Sequence, residues 1–383
     1  MRVLFFATRM PDMCGAFLHD IDLAIELQKR GHQVAFMTTE RPKEGVNGGT
    51  YRGFRFMHYT AGTEFLESSQ VWICPHSPAL PAVRVINSRG LERPIIATCH
   101  YDGQHGTIRA NASTAWKELL FFINGKMEAN FRRSIDPWPS SIVRTEVIRP
   151  IMQENKIRMD PLPNGDMITL VNANVNKGVH QFIELAKRMP DRRFLGIIPY
   201  YGEMWVPPAP GNVEWVKFDD DVRNILKRTR ILLLPSKYES FGRIAVEAMY
   251  NKIPVIYSKS DPAAPPPGTT EGVEEWITSG GIPCNRDRPE QWIDAITALD
   301  DPIVYAERQE LSKTCISNMD LFTEAGRIAD KVEAFVRENP IAVKTIRSAG
   351  VAARGVPSPV QMPQAPPVGS VLGFSGGRLK IRR

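Results

Sequence analysis

The chain has 383 residues, 43% hydrophobic and 23% charged, which suits two packed domains and excludes collagen-like, disulfide-scaffold and wholly disordered classes. Its longest apolar runs, such as Ile231-Leu232-Leu233-Leu234, fall far short of the roughly 20 residues that span a bilayer. The net charge of +6 points toward nucleic acid or membrane, but Lys344, Arg347, Arg354, Arg378, Lys380, Arg382 and Arg383 give residues 341–383 a charge of +7 with no Asp or Glu, leaving −1 for residues 1–340.

The N-terminus has one Arg, a short apolar run, then charge and proline, which is not the pattern of a signal peptide. Five scattered cysteines with no CxxC pair fit a reducing cytoplasm and argue against zinc. Val3-Leu4-Phe5-Phe6-Ala7 is continuous and apolar, as a strand buried on both faces of a parallel sheet must be. Leu18, Ile21 and Ile25 recur at helical spacing over Ala16–Arg30, Gly31 stands at the expected C-cap, and His32–Met37 supplies the next strand. Short strands at Val71–Cys74 and Ile95–Cys99 continue the series. Trp116–Arg133 reads as a helix burying Leu119, Leu120, Ile123 and Met127, or, from its interleaved basic residues, as a membrane-surface segment.

A second β-α series opens near Met167. Strands are expected at Ile168–Val171, Phe194–Ile198, Ile231–Leu234 and Pro254–Tyr257, with helices at His180–Arg188, Val222–Arg228 and Ile244–Tyr250. Helices near Pro289–Leu299 and Thr323–Glu338 close the body. The pattern predicts an α/β fold of two doubly wound, Rossmann-like parallel-sheet domains, residues 1–150 and 151–340, facing a cleft. The last helix is able to pack back on the first domain. The junction carries Pro150, Pro161, Pro163 and Gly165, and the basic Pro/Gly-rich tail 341–383 is expected to be disordered.

The chemistry concentrates in ILLLPSKYESFGRIAVEAMYNKIPVI, residues 231–256. A buried strand that feeds a helix near Phe241-Gly242 through a small polar loop places free N–H groups at the sheet edge, a site suited to phosphate. Glu239 in the loop and Glu247 on the helix repel phosphate but accept sugar hydroxyls, with amides and a cation left for the phosphates.

Pro235-Ser236, Glu239-Ser240-Phe241-Gly242, Glu247-Ala248-Met249 and Pro254-Val255-Ile256 together resemble the signature of retaining family 4 glycosyltransferases of the GT-B fold. Arg30-Gly31-His32-Gln33-Val34, Ala97-Thr98-Cys99-His100, Asn176-Lys177-Gly178-Val179 and the pair Gly268 and Glu271 fall in that family's order, so the likeness spans about residues 1–340. The resemblance implies that Glu247 holds ribose hydroxyls, Glu239 a donor-sugar hydroxyl, and Lys177 with Gly178 the diphosphate. It places phosphate or sugar oxygens at Ser240, Phe241 and Gly242, the base near Lys217 and Phe218, and the transferred sugar or acceptor at His100. Gly15 belongs to the first cleft-facing loop, where Cys14-Gly15 replaces paired glycines; Asn172 stands where a basic partner is usual, with Arg243 as substitute; Lys252 stands where glycine is usual.

The implied activity is transfer from a UDP- or GDP-type sugar without metal or other cofactor. The acceptor is modified DNA or protein if the chain is of phage origin, otherwise a lipid or small molecule. The tail offers nucleic acid or an anionic membrane surface as partner. The Asp219-Asp220-Asp221 run reads as a solvated helix start. Two competing readings remain: a non-catalytic nucleotide-sugar- or nucleic-acid-binding protein on the same fold, favoured by Asn172, and an epimerase.

Overall fold

A computed structural model describes residues 1–10, 14–40, 48–75, 79–101, 117–134, 143–199, 207–261 and 270–341. Gly268 and the tail from 342 onward lie outside them. Met1–Ile341 form one compact unit built on two sheets. The first holds β1 (Arg2–Ala7), β2 (Gln33–Thr38), β3 (Gly48–Tyr51), β4 (Phe54–His58), β5 (Val71–Pro75), β6 (Ile95–Cys99), β7 (Glu118–Phe122) and β8 (Val143–Val147). Their order is β3-β4-β2-β1-β5-β6-β7-β8, parallel except for β3 against β4. The second holds β9 (Met167–Leu170), β10 (Phe194–Ile197), β11 (Val213–Val216), β12 (Thr229–Leu234), β13 (Val255–Ser258) and β14 (Ile282–Cys284). It is parallel throughout, in the order β11-β10-β9-β12-β13-β14.

Each sheet grows outward from its first strand in both directions, so the order reverses between β1 and β5 and again between β9 and β12. At such a switch point successive helices leave on opposite faces and open a crevice at the strand C-termini. The helices are α1 (Gly15–Lys29), α2 (Thr63–Ser68), α3 (Ala79–Asn87), α4 (Gly125–Arg133), α5 (Glu154–Ile157), α6 (Val179–Arg188), α7 (Arg223–Leu226), α8 (Arg243–Tyr250), α9 (Glu271–Ile277), α10 (Pro289–Ala298), α11 (Pro302–Ser317) and α12 (Glu324–Glu338).

Residues 118–133 are not the single helix expected from the spacing of their apolar side chains. They form β7, buried throughout between β6 and β8, followed by α4. Leu119 and Leu120 therefore point to opposite faces of the sheet and into different cores. Asn124 starts α4 by accepting the Met127 N–H at 2.8 Å. The apolar side chains are used by the fold, and none of them forms a membrane-binding stripe.

The core containing Leu120 and Phe131 continues into Phe241 and Trp276, so one apolar cluster runs across both sheets. Although α12 follows the second sheet in sequence, its Ile328, Val332 and Phe335 pack with Phe17, Ile21 and Leu27 of α1. Arg30 meets Asp330 at 2.6 Å and His32 meets Glu333 at 2.8 Å along the same seam.

Candidate functional site

The loops β9–α6 and β12–α8 leave neighbouring strands at the second switch point. Each delivers its helix through a left-handed glycine, Gly178 at φ +85° and Gly242 at φ +73°, a conformation that side chains with a Cβ adopt only at a cost. A Cβ on Gly178 would lie 2.2 Å from the Pro235 carbonyl oxygen, so glycine is also what allows the two loops to touch. The Lys237 N–H donates to Asn176 O at 2.8 Å across the same gap. This approach brings Lys177 into an ion pair with Glu239, whose carboxylate also accepts from Ser236 Oγ at 3.0 Å. Glu239 is only 6% exposed.

The segment 240–242 is fixed from outside. Asn124 Nδ2 donates to Ser240 O at 2.8 Å and Trp276 Nε1 to Phe241 O at 2.7 Å. A Cβ on Gly272 would come within 1.8 Å of Ser240 O, so α9 packs directly on this loop. With those carbonyls tied down, the first N–H groups of α8 remain as the donors of this sheet edge. One turn into α8, buried Glu247 accepts from Arg243 Nε at 3.0 Å. Burial pushes the Glu247 carboxyl upward, and the Arg243 guanidinium offsets only part of that.

Arg243 reaches further. Its Nη1 donates to Ile151 O at 3.1 Å, in the crossing between the sheets, and its Nη2 lies 3.7 Å from Asp22 of α1. Asp22 also accepts from Gln153 and Lys156, each at 2.8 Å.

His100 stands just past the end of β6 with its ring 5.2 Å from that of His19, edge to face at 73°. Burial, then the nearby Arg243 charge, pushes the His100 ring down to about 4. His19 is also held well below its usual range, by burial first and then by His100 and Arg243, while burial drives Asp20 well up. A ring nitrogen of each histidine and an Asp20 oxygen lie within 4.8 Å of one another. Among the described residues His19 Nε2, Asp20 Oδ1 and His100 Nε2 are buried without a hydrogen-bond partner.

Such a cluster invites a metal ion, and its sequence separation gave no sign of it. However, the Ile151 N–H donates to His19 Nδ1 at 3.2 Å. The neutral ring then carries its own proton on Nε2, so neither nitrogen of His19 offers a lone pair to a cation. Two ligands remain, one short of the three protein ligands that catalytic zinc sites use.

The other expected residues are dispersed. Gly15 opens α1, and a Cβ there would meet nothing within 4 Å. Asn172 follows β9 at φ +62°, a left-handed position that Asn tolerates better than Arg. Lys217 and Phe218 follow β11, two strands from β9 at the sheet edge. Asp219 accepts the Asp221 N–H at 2.8 Å and Asp221 pairs with Arg223 at 2.7 Å, so this acidic run starts α7. Lys252 sits at φ +58°, which explains why glycine suits that position.

His19, Asp22, Asn124, Gly272 and Trp276 were not singled out from sequence. Each acts through a partner more than a hundred residues away or on a neighbouring element, and their spacing carries no trace of it. Beside His100 and Glu239, the rings of Tyr101 and Tyr238 meet at 4.7 Å across the two halves.

Residues 208–301 match the family model of glycosyl transferases group 1. No curated protein matches the chain. Sucrose-phosphate synthase from Thermosynechococcus elongatus superposes with a TM-score of 0.64 at 14% identity, covering 88% of this chain and 98% of that one. A glycosyltransferase from Rickettsia africae gives 0.65 at 14%, over 88% and 99%. An α-glucosyltransferase solved with UDP and a 13-mer DNA containing an HMU base gives 0.58 at 11%, over 88% and 99%. The matched segment contains Glu239, Gly242, Arg243 and Glu247, while Lys177 and His100 lie outside it. The chain has the GT-B fold seen in these glycosyltransferases, and over residues 208–301 it is similar to the glycosyl transferases group 1 family.

Proposed function

We propose that the chain transfers a hexosyl-type sugar from a UDP- or GDP-sugar to an acceptor hydroxyl with retention of configuration, in the manner of family 4. The observation that carries this reading is the placement of two acid–cation pairs, Lys177–Glu239 and Arg243–Glu247, around one glycine-started helix at a sheet switch point. Glu247 takes ribose hydroxyls, Glu239 a hydroxyl of the sugar, and Lys177 with the 240–242 amides takes the diphosphate. On donor arrival Lys177 turns from Glu239 to the phosphates, which frees the carboxylate for the sugar. The bond from C1 to the phosphate oxygen breaks while the acceptor oxygen bonds to C1 on the same face. The acceptor proton passes to the departing phosphate, and Lys177 stabilises the charge that develops there. His100, kept neutral, holds a hydroxyl and is not needed as a base. Residues 1–150 then serve as the acceptor side and 151–340 as the donor side, in a cytoplasmic protein.

No metal enters this scheme, so activity is expected to survive a chelator. Among acceptors, modified DNA is the first to test. The α-glucosyltransferase of similar fold was solved on DNA, and the +7 of residues 341–383 would hold a polyanion; an anionic membrane surface is the alternative for the tail. Among the described residues no helix is long and apolar enough to cross a membrane.

The test is a panel of nucleotide sugars incubated with the full chain and read by mass spectrometry for released nucleotide and glycosylated product. Slow nucleotide release that Glu239→Ala and Lys177→Met abolish supports the enzyme. Tight binding with no release from any donor, with or without acceptors, favours the non-catalytic reading that Asn172 suggests.

A further inference from the structure

Both backbone polar groups of one residue in the sheet-to-sheet crossing, Ile151, are taken by side chains of the site. The Ile151 N–H donates to His19 Nδ1 at 3.2 Å, and the Ile151 carbonyl accepts from Arg243 Nη1 at 3.1 Å. Beyond these two bonds the chain continues in each direction. His19 meets His100 edge to face at 5.2 Å, and the Arg243 fork holds Glu247 at 3.0 Å. Ile151 is fully buried, so water does not compete for either group and each bond constrains the other's geometry. The segment itself is clamped on both sides, by Asp22 on Gln153 and Lys156 and by Glu324 on the Arg149 N–H at 2.8 Å.

We propose that the Ile151 backbone couples the two ends of the site, with His19 as the positioning residue for His100 and Arg243 as the positioning residue for Glu247. The physical link is the Ile151 Cα, where the two peptide planes meet: a shift of Arg243 when Glu247 takes a ligand pulls on the Ile151 carbonyl, and in the packed crossing the turn of that plane is passed through φ and ψ of Ile151 to the N–H that His19 follows. The His19 ring cannot rotate away without leaving that buried N–H unpaired. His100 is therefore aimed in step with occupancy of the far end of the cleft. The ligand identity rests on the donor reading above; the link between Ile151, His19 and Arg243 does not.

The chain has seven histidines, so ring-nitrogen NMR of histidine-labelled full-length protein resolves them, with each assigned by substitution. In the wild type, His19 is expected to carry its proton on Nε2, and UDP or GDP is expected to move the His100 signals. His19→Asn keeps an acceptor for the Ile151 N–H but has no ring against His100; His19→Phe keeps a ring but no acceptor. Either variant is expected to bind the nucleotide within about twofold of wild type, to leave His100 unresponsive to it, and to lower kcat of donor turnover about tenfold at unchanged KM.

The ligand-free arm uses Arg243→Lys, which keeps the charge but cannot fork between Ile151 and Glu247. It is expected to move the His100 signal in the wild-type background and not in His19→Asn. If neither nucleotide binds the wild type, the donor reading falls and the ligand-free arm still decides the coupling. Equal His100 shifts with and without His19, or none in either, would overturn the proposal, as would a His19 proton on Nδ1.

Discussion

Lys177→Met removes the cation from a carboxylate that has little water to fall back on. Glu239 is 6% exposed, and the structure gives it two partners, Lys177 and the Ser236 hydroxyl at 3.0 Å. Breaking a fully buried ion pair costs about 3–5 kcal/mol, whereas an exposed pair is worth about 0.2–1. Here the acid is buried and the lysine side chain is 26% exposed, which places the expected loss at about 1–3 kcal/mol of unfolding free energy. Glu239→Gln needs no counter-charge, so adding Lys177→Met to it is expected to cost under about 0.5 kcal/mol. Thermal and urea unfolding of the four proteins gives the coupling directly. A nucleoside diphosphate at about a hundred times its Kd stabilises the wild type by about 2.7 kcal/mol, and this gain is expected to vanish in Lys177→Met. Wild-type stability together with a wild-type nucleotide shift in that variant would refute the assignment of Lys177 to both roles.

Gly178→Ala places a methyl 2.2 Å from Pro235 O in a left-handed residue; it is expected to cost at least about 1–2 kcal/mol and to weaken nucleotide binding by calorimetry more than tenfold. In the unfolded chain His100 takes up its proton near pH 6.5, whereas in the fold it stays neutral down to about 4, so its contribution to stability is full above pH 6.5 and is lost as the pH falls. The stability advantage of the wild type over His100→Asn is accordingly expected to shrink by about 1.4 kcal/mol per pH unit between 6.5 and 4, and a pH-independent difference would show that the ring titrates normally. Lys252→Gly relieves a left-handed φ of +58° and gives up a pair whose Glu310 end is exposed to solvent; a rise of about 0.5–1 kcal/mol in unfolding free energy is expected, with nucleotide affinity unchanged.

Those substitutions divide along a line that also separates what could be read from the chain. Buried parallel strands announce themselves as unbroken apolar runs, which is why β1, β6, β9 and β12 were legible. The same signal failed at β7, where Glu-Leu-Leu-Phe-Phe runs into a basic amphipathic helix; length and flanking residues, not periodicity, separate a strand from a helix there. Glu239 and Glu247 stood out because each lies within a few residues of a strand-to-helix turn, and that local grammar survives in one dimension; Lys177 was reached only through the family resemblance. His19 and Asp22 left no such mark. Their partners are Ile151, His100 and Arg243, and a helix histidine reads from sequence like any core histidine. The departures from pattern became intelligible only with dihedral angles: Asn172 and Lys252 both occupy left-handed positions, one with a residue that tolerates it and one without.

The return of α12 to α1 makes the first half of the molecule discontinuous in sequence. During synthesis the ribosome releases β1 through β8 long before residues 324–338 exist, and until then Phe17, Ile21 and Leu27 lack the partners Ile328, Val332 and Phe335. A fragment cut at the crossing near 150 should therefore expose an apolar helix face and aggregate, whereas the same fragment fused through a short linker to 320–341 should remain monomeric. The chain thus passes between its two sheets twice, once through Ile151 and once on the way to α12, and any opening of the cleft must be compatible with both strands of that tether.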